Sequence, residues 1–181
     1  MNLREYFSKM KGGAKGVPRV SLKEALWSGL GGAVGLGMCG WISSYYLEPR
    51  ALTLMLGSLG ASAVLVYGVI TSAFAQPRNL IGGHVISAFI GVVCQKLIGG
   101  NVWLAATMAV SLSIMAMLMT RTVHPPGGAT AMTAVIGGKR VYDLGFLYVL
   151  VPVALGAFIL LAVGLIVNNL SRKRKYPEFW F

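Results

Sequence analysis

The sequence predicts an all-α membrane protein of about six hydrophobic segments, arranged as two inverted three-segment repeats, each with an interrupted or half-length helix. Composition, the placement of charge and one repeated motif predict it. Of 181 residues, 56% are hydrophobic and 12% charged, with a mean hydropathy of +0.71, too apolar for a chain that must present a polar surface to water. The net charge of +11 is concentrated toward the ends. Arg4, Lys9, Lys11, Lys15, Arg19 and Lys23 precede the first apolar run, and Arg172, Lys173, Arg174 and Lys175 follow the last. Basic flanks of membrane segments stay in the cytoplasm. The expected organisation is therefore a basic cytoplasmic segment at 1–23, one transmembrane helical domain at 24–168 and a basic cytoplasmic tail at 169–181, in the inner (plasma) membrane. No groove-reading or base-stacking module accompanies the charge, which argues against nucleic acid as a partner and for the lipid bilayer.

The segments run 24–47, 52–75, 80–100, 102–120, 126–138 and 144–168. The first is longer than the apolar core of a signal peptide and has no small-residue exit, so it reads as a retained span. The fifth is too short to cross about 30 Å of hydrocarbon as helix alone. Two cytoplasmic termini require an even number of crossings. Six are favoured over four, with the extended flank Arg121 to Pro126 helping the fifth segment across, because paired prolines keep Val123 and His124 out of helix. Cys39 and Cys94 are isolated in apolar runs and read as packing residues. Trp41, Trp103, Tyr148 and Trp180 are expected at the interfaces.

Gly60-Ala61-Ser62-Ala63 and Gly128-Ala129-Thr130-Ala131 share the pattern Gly-Ala-hydroxyl-Ala at an offset of 68 residues. That offset overlays the first three segments on the last three. Repeats of three spans must be inverted, and interrupted segments at corresponding places mark binding sites in many transporters. If each motif opens a helix within the membrane, free N–H groups and the positive end of the helix dipole favour an anion. Gly57, Gly60, Gly127 and Gly128 would let backbone or ligand come close, and Ser58, Ser62 and Thr130 would offer hydroxyl donors. The simpler reading is that these small residues serve helix packing.

Charge points the same way. Between Glu48 and Asp143 there is no acidic residue, while Arg78, Lys96, Arg121, Lys139 and Arg140 fall in that stretch. Lys96 can snorkel from a span end and Lys139 and Arg140 suit an interface. Arg121, and Arg78 with Asn79, adjoin Pro-containing polar sequence, where a cation marks a pathway. Positive charge without interior carboxylates suits an anion better than a cation or a proton relay. His84 and His124 are the only histidines; with no cysteine or carboxylate to complete a ligand set they do not predict a metal, and no cofactor is expected. His124 could donate to an anion or brace the broken backbone.

The run His124-Pro125-Pro126-Gly127-Gly128-Ala129-Thr130-Ala131 after Thr120-Arg121-Thr122 resembles the signature of the HPP family of integral membrane proteins. Two further blocks, Gly57 to Ala63 and Ala75 to His84, resemble the family's other motifs in order and spacing, and the likeness covers about residue 25 to Glu178. Gly127 stands where many members carry Ala. The resemblance implies a membrane protein of four or more spans whose plastid members are linked to nitrite transport. Some bacterial members add a cytoplasmic CBS pair, which is not expected after residue 181.

The reading is a transporter or channel for a small monovalent anion, most plausibly nitrite, held by N–H groups after Gly60 and Gly128, by Ser58, Ser62 and Thr130, and by His124, with Arg121 and Arg78 attracting it from further away. A non-transporting structural or partner subunit is the alternative. A membrane enzyme would lack a nucleophile and an orienting carboxylate, and a proton-coupled carrier of a neutral solute would lack interior carboxylates. No phosphate-binding Gly-x-x-x-x-Gly-Lys-Ser/Thr loop is present, so transport would be passive or ion-coupled. Homo-oligomerisation is expected, with Gly31-Gly32-Ala33-x-Gly35 as a close-packing surface.

Overall fold

The structure is a computed structural model describing residues 2–12, 16, 19–47 and 53–181. Lys15, Glu48 and the first residue of the expected 52–75 segment lie outside the described residues. Those described are helical or irregular, with no strand among them. A short exposed helix α1 (Leu3–Ser8) precedes α2 (Leu22–Ile42), which Ser21 caps by accepting the Glu24 N–H at 3.2 Å, a hydroxyl-x-x-Glu start. Wider π-type turns extend α2 to Leu47. Next come α3 (Gly57–Ala63), continued by π-type turns to Gly68, then α4 (Pro77–Ile98), α5 (Val102–Met119), α6 (Pro125–Ile136), α7 (Lys139–Leu144) and α8 (Leu155–Leu170).

Among the described residues four helices are long and apolar enough to cross a membrane: Leu22–Leu47, Pro77–Ile98, Val102–Met119 and Val149–Leu170. The last is interrupted at Val151, whose φ of −133° and ψ of 115° are extended, just before Pro152. The expected second and fifth segments are the short ones. Gly57–Gly68 and the 12 residues of α6 each reach roughly 18 Å at helical rise, well short of the hydrocarbon thickness. Non-helical chain at 53–56 and 121–124 adjoins them.

Contacts fix the relative directions. Trp27 Nε1 donates to Val167 O at the start of α2, and Cys39 Sγ approaches Gly156 O at 4.0 Å near its end, so α8 runs against α2. Gly31 lies beside Tyr67 and Gly40 beside Met55, so α3 also runs against α2. Tyr176 Oη donates to Ala75 O just before α4, while Arg174 reaches Glu24 at the start of α2, so α4 runs with α2. Gly83 meets His124 and Gly91 meets Ala131, which sets α6 parallel to α4. Hence α3 and α6 run in opposite directions. Ser87 of α4 meets Met117, and Cys94 clusters with Ala105, so α5 runs against α4.

Glycines allow the closest approaches. A Cβ on Gly91 would sit 2.6 Å from Ala131 O, and one on Gly156 would overlap a Leu59 methyl. Tyr67, 1% exposed, fills the face made by Gly31 and Gly35 and donates to Leu160 O. The small-residue stripe expected to pack against another copy is therefore occupied, at Gly31 and Gly35, from within the chain.

The basic C-terminal run does not all face water. Arg174 is 8% exposed, pairs with Glu24 Oε1 at 2.6 Å, and donates to Tyr67 O, Asn168 Oδ1 and Ser28 Oγ. Glu178 N donates to Gln76 Oε1, and Gln76 Nε2 to the carbonyls of Ile70 and Ser72. Residues 174–178 thus form a strap over the end of the bundle, with Gln76 and Ala75 as anchors. Of the aromatic anchors, Trp41, Trp103 and Trp180 are exposed, but Tyr148 is fully buried. Its hydroxyl donates to Thr130 O at 3.1 Å, a partner that lets a phenol stay inside.

Candidate functional site

Proline decides where α6 begins. Pro125 and Pro126 occupy its first turn, where a missing N–H costs least, and His124 precedes them with extended backbone, φ −137° and ψ 104°. A left-handed cap delivers the chain to that point. Thr122 N donates to Met117 O and Arg121 N to Leu118 O, with Arg121 at φ 56°, the position usually given to glycine. Arg78 donates to Thr120 O and Asn79 Nδ2 to Val123 O, both at 2.8 Å. These side chains brace the end of α5 and the linker into α6.

The bracing places His124 against α3 and α4, where four fully buried side chains form one hydrogen-bonded chain. His124 Nδ1 lies 2.7 Å from Phe74 O, and its Nε2 2.8 Å from Ser62 Oγ. Ser62 Oγ also lies 2.7 Å from His84 Nε2, and His84 Nδ1 2.7 Å from Thr130 Oγ1. Each member comes from a different segment: α3, α4, the linker and α6.

Donors and acceptors can be assigned throughout. The Phe74 carbonyl only accepts, so His124 carries hydrogen on Nδ1. If that ring is neutral its Nε2 accepts, and the single hydrogen of Ser62 goes to it. His84 Nε2 must then donate to Ser62, and its Nδ1 accepts from Thr130. The ring centroids are 4.9 Å apart. Two imidazolium charges at that separation would repel by about 3 kcal/mol at an effective dielectric of about 20, so the pair suits at most one charge.

Several sequence expectations change. Gly60 and Gly128 do not open their helices; α3 begins at Gly57 and α6 at Pro125. Gly60 N is already bonded to Leu56 O and Gly127 N to His124 O, while Pro125 and Pro126 have no N–H at all. The start of α6 therefore offers an anion no free N–H from its first three residues, and the amides at the two Gly-Ala motifs fall in the second helical turn. A Cβ on Gly57 or Gly60 would meet nothing within 4 Å, and one on Gly128 only Val110 at 3.7 Å, so none of the three is needed for close approach within the chain. The glycines that are needed are Gly83, where a Cβ would lie 2.5 Å from His124 Cβ, and Gly127, where it would lie 2.8 Å from Ser87 Oγ. Ala61 and Ala129 face outward. Arg121 is exposed, and Arg78 is committed to the Thr120 carbonyl.

Ser62, His84, His124 and Thr130 are thus brought together, whereas Arg78, Asn79 and Arg121 support the linker. Ser58 is 2% exposed and its hydroxyl has no hydrogen-bond partner, which calls for an explanation in a packed interior. Sequence reasoning missed the Phe74 carbonyl, which carries no side-chain signal. It also missed Tyr148 as the second contact on Thr130, where a hydroxyl on an aromatic in a span flank was the available clue. Among the described residues no three His, Cys, Asp or Glu side chains form a metal-sized cluster.

The model of the transmembrane region of HPP proteins matches residues 17–177. The chain belongs to the HPP transmembrane family. The chain is similar to two transmembrane proteins of Dictyostelium discoideum, 41% identical over 98% of this chain and 40% identical over all of it. The chain spans 58% and 65% of their lengths. No solved structure matches it. The HPP motif that names the family is, in this fold, the linker turn that ends in His124 and the proline start of α6.

Proposed function

We propose that this HPP protein is a multi-pass membrane transporter or channel for a small monovalent anion, with nitrite the first candidate, and that Ser62, His84, His124 and Thr130 form its binding site. The observation that carries the reading is the buried chain itself. It unites the only two histidines with two hydroxyls between a short helix from each half, and no acidic side chain among the described residues bonds to it. Polar groups at such depth are costly, and they are retained where a pathway needs them. Imidazole can carry a positive charge and hydroxyls can donate, which suits an anion, since an anion only accepts.

In this proposal the two halves are inverted repeats. The opposite directions of α3 and α6, of α2 and α5, and of α4 and α8 support it, and the short helices would be the elements that move. Both termini lie on the cytoplasmic side of the plasma membrane, and the protein works as a homo-oligomer; it is not an enzyme.

The test is flux into liposomes containing the purified protein, with nitrite, nitrate, formate and chloride compared. Saturable uptake that falls at least tenfold in Ser62→Ala and His124→Asn supports the reading. Folded, inserted protein that moves none of the four refutes it and leaves the partner-subunit alternative.

A further inference from the structure

We infer that the site binds its anion together with one proton, taken up on the His84–Ser62–His124 chain. This rests on the anion-transport reading and adds the chemistry of uptake. With both rings neutral, every hydrogen in the chain points one way, from Thr130 through His84, Ser62 and His124 to the Phe74 carbonyl. Two acceptors are then left waiting, each one helical turn before a hydroxyl: Ser58 O lies 3.0 Å from Ser62 Oγ, and Pro126 O lies 3.3 Å from Thr130 Oγ1.

A proton given up by the buffer acid in solution and added to Nε2 of His124 makes a new N–H aimed at Ser62 Oγ. The Ser62 hydrogen then turns to Ser58 O. Added instead to Nδ1 of His84, the proton faces Thr130 Oγ1, and the Thr130 hydrogen turns to Pro126 O. Either way each N–H and O–H keeps a partner while only a hydroxyl hydrogen rotates. The chain is fully bonded in two protonation states that differ by one whole charge.

Among the described residues the fold supplies no counter-charge for that proton. The polar and charged side chains nearest in sequence to the two rings, on the elements that hold them, are Ser58 and Ser62 on α3, Arg78, Asn79 and Ser87 on α4, Arg121 and Thr122 in the linker and Thr130 on α6, with Tyr148 donating to Thr130 O. None is acidic. Glu24 pairs with Arg174 at the bundle end and Asp143 with Lys139 outside it. A buried imidazolium left alone is strongly unfavourable, so the proton and an anion stabilise each other there and each enters readily only with the other. Ser58 Oγ, the one buried hydroxyl without a partner among the described residues, is the spare donor for the anion. No covalent bond to the anion forms. One N–H forms on entry and breaks on exit, and the pair carries no net charge.

Calorimetric titration of the protein in lipid nanodiscs tests this, with sodium nitrite, nitrate, formate and chloride as probes in two pH 7 buffers of different ionisation heat. The dependence of binding heat on buffer is expected to give uptake of about one proton per anion, with affinity weakening about tenfold per pH unit above neutrality. Histidine ¹⁵N spectra of the same sample are expected to show an imidazolium signal only when the anion is present, and His124→Asn should lose the proton uptake. Should that variant not fold, Ser58→Ala is expected to weaken anion binding while keeping the proton stoichiometry. Anion binding with no proton uptake, no imidazolium and no pH dependence overturns the coupling but keeps the anion site. Folded protein that binds none of the four anions overturns both readings.

Discussion

Replacing Gly83 by alanine puts the described packing of α4 against the linker to its hardest test. The added Cβ would lie 2.5 Å from His124 Cβ and 2.8 Å from the Thr122 carbonyl. Ordinary contact for such atoms begins near 3.4 Å, and neither neighbour is the free end of a flexible side chain. The backbone at 122–124 must therefore retreat by about 1 Å. His124 Nε2 now sits 2.8 Å from Ser62 Oγ, so a retreat of that size away from α3 takes the pair out of hydrogen-bond range. Overpacking contributes about 1–3 kcal/mol of destabilisation, and the broken bond leaves a buried imidazole nitrogen unpaired at about 1–3 kcal/mol more. Thermal unfolding in nanodiscs followed by tryptophan fluorescence, with flux measured in parallel, reads both effects. Gly60→Ala is the control. Its Cβ meets nothing, so it should stabilise α3 by about 0.5–1 kcal/mol through helix propensity. If Gly83→Ala unfolds at the wild-type temperature and transports normally, α4 does not pack on the linker as described and the site geometry is wrong.

Two further predictions concern the ends of elements. Arg121→Gly should raise stability by about 1 kcal/mol, because it relieves an L-residue held at φ 56°; a lower melting temperature would show that the arginine side chain contributes more than its backbone costs. Arg174→Gln should destabilise by about 3 kcal/mol, since it breaks a largely buried ion pair with Glu24 and removes charged hydrogen bonds to Tyr67 O and Ser28. Limited proteolysis of the variant should then cut within residues 171–178 while wild type resists, and equal resistance would count against the strap.

Much of the fold was legible in one dimension because membrane helices must satisfy their own backbone and show lipid an apolar surface. That rule made composition and segment length sufficient for the long spans and for the short fifth segment; the second, expected over 52–75, proved short only in the fold, as Gly57–Gly68. The break before α6 was legible too, since proline geometry is local and placed His124 outside the helix. Lys96 at the exposed end of α4 and the buried free thiols of Cys39 and Cys94 also follow from sequence position alone.

The roles of the polar residues were not legible in the same way. Arg78 and Asn79 looked like ligands because they are polar in an apolar region, yet their partners are carbonyls 42 and 44 positions away. Arg174 sits in a run of four basic residues that local sequence cannot tell apart, and only the fold buries it among Glu24, Ser28 and Asn168. What the sequence by itself determined is the run of apolar segments, the proline break before α6 and the supply of histidine and hydroxyl groups, because these depend on hydropathy and on proline. Tertiary structure alone decided that Ser62, His84, His124 and Thr130 meet and that the two Gly-Ala motifs do not present helix ends. Hydrogen bonds between segments depend on which helix faces meet, and that is settled by glycine-sized gaps at Gly83, Gly91 and Gly127 acting together.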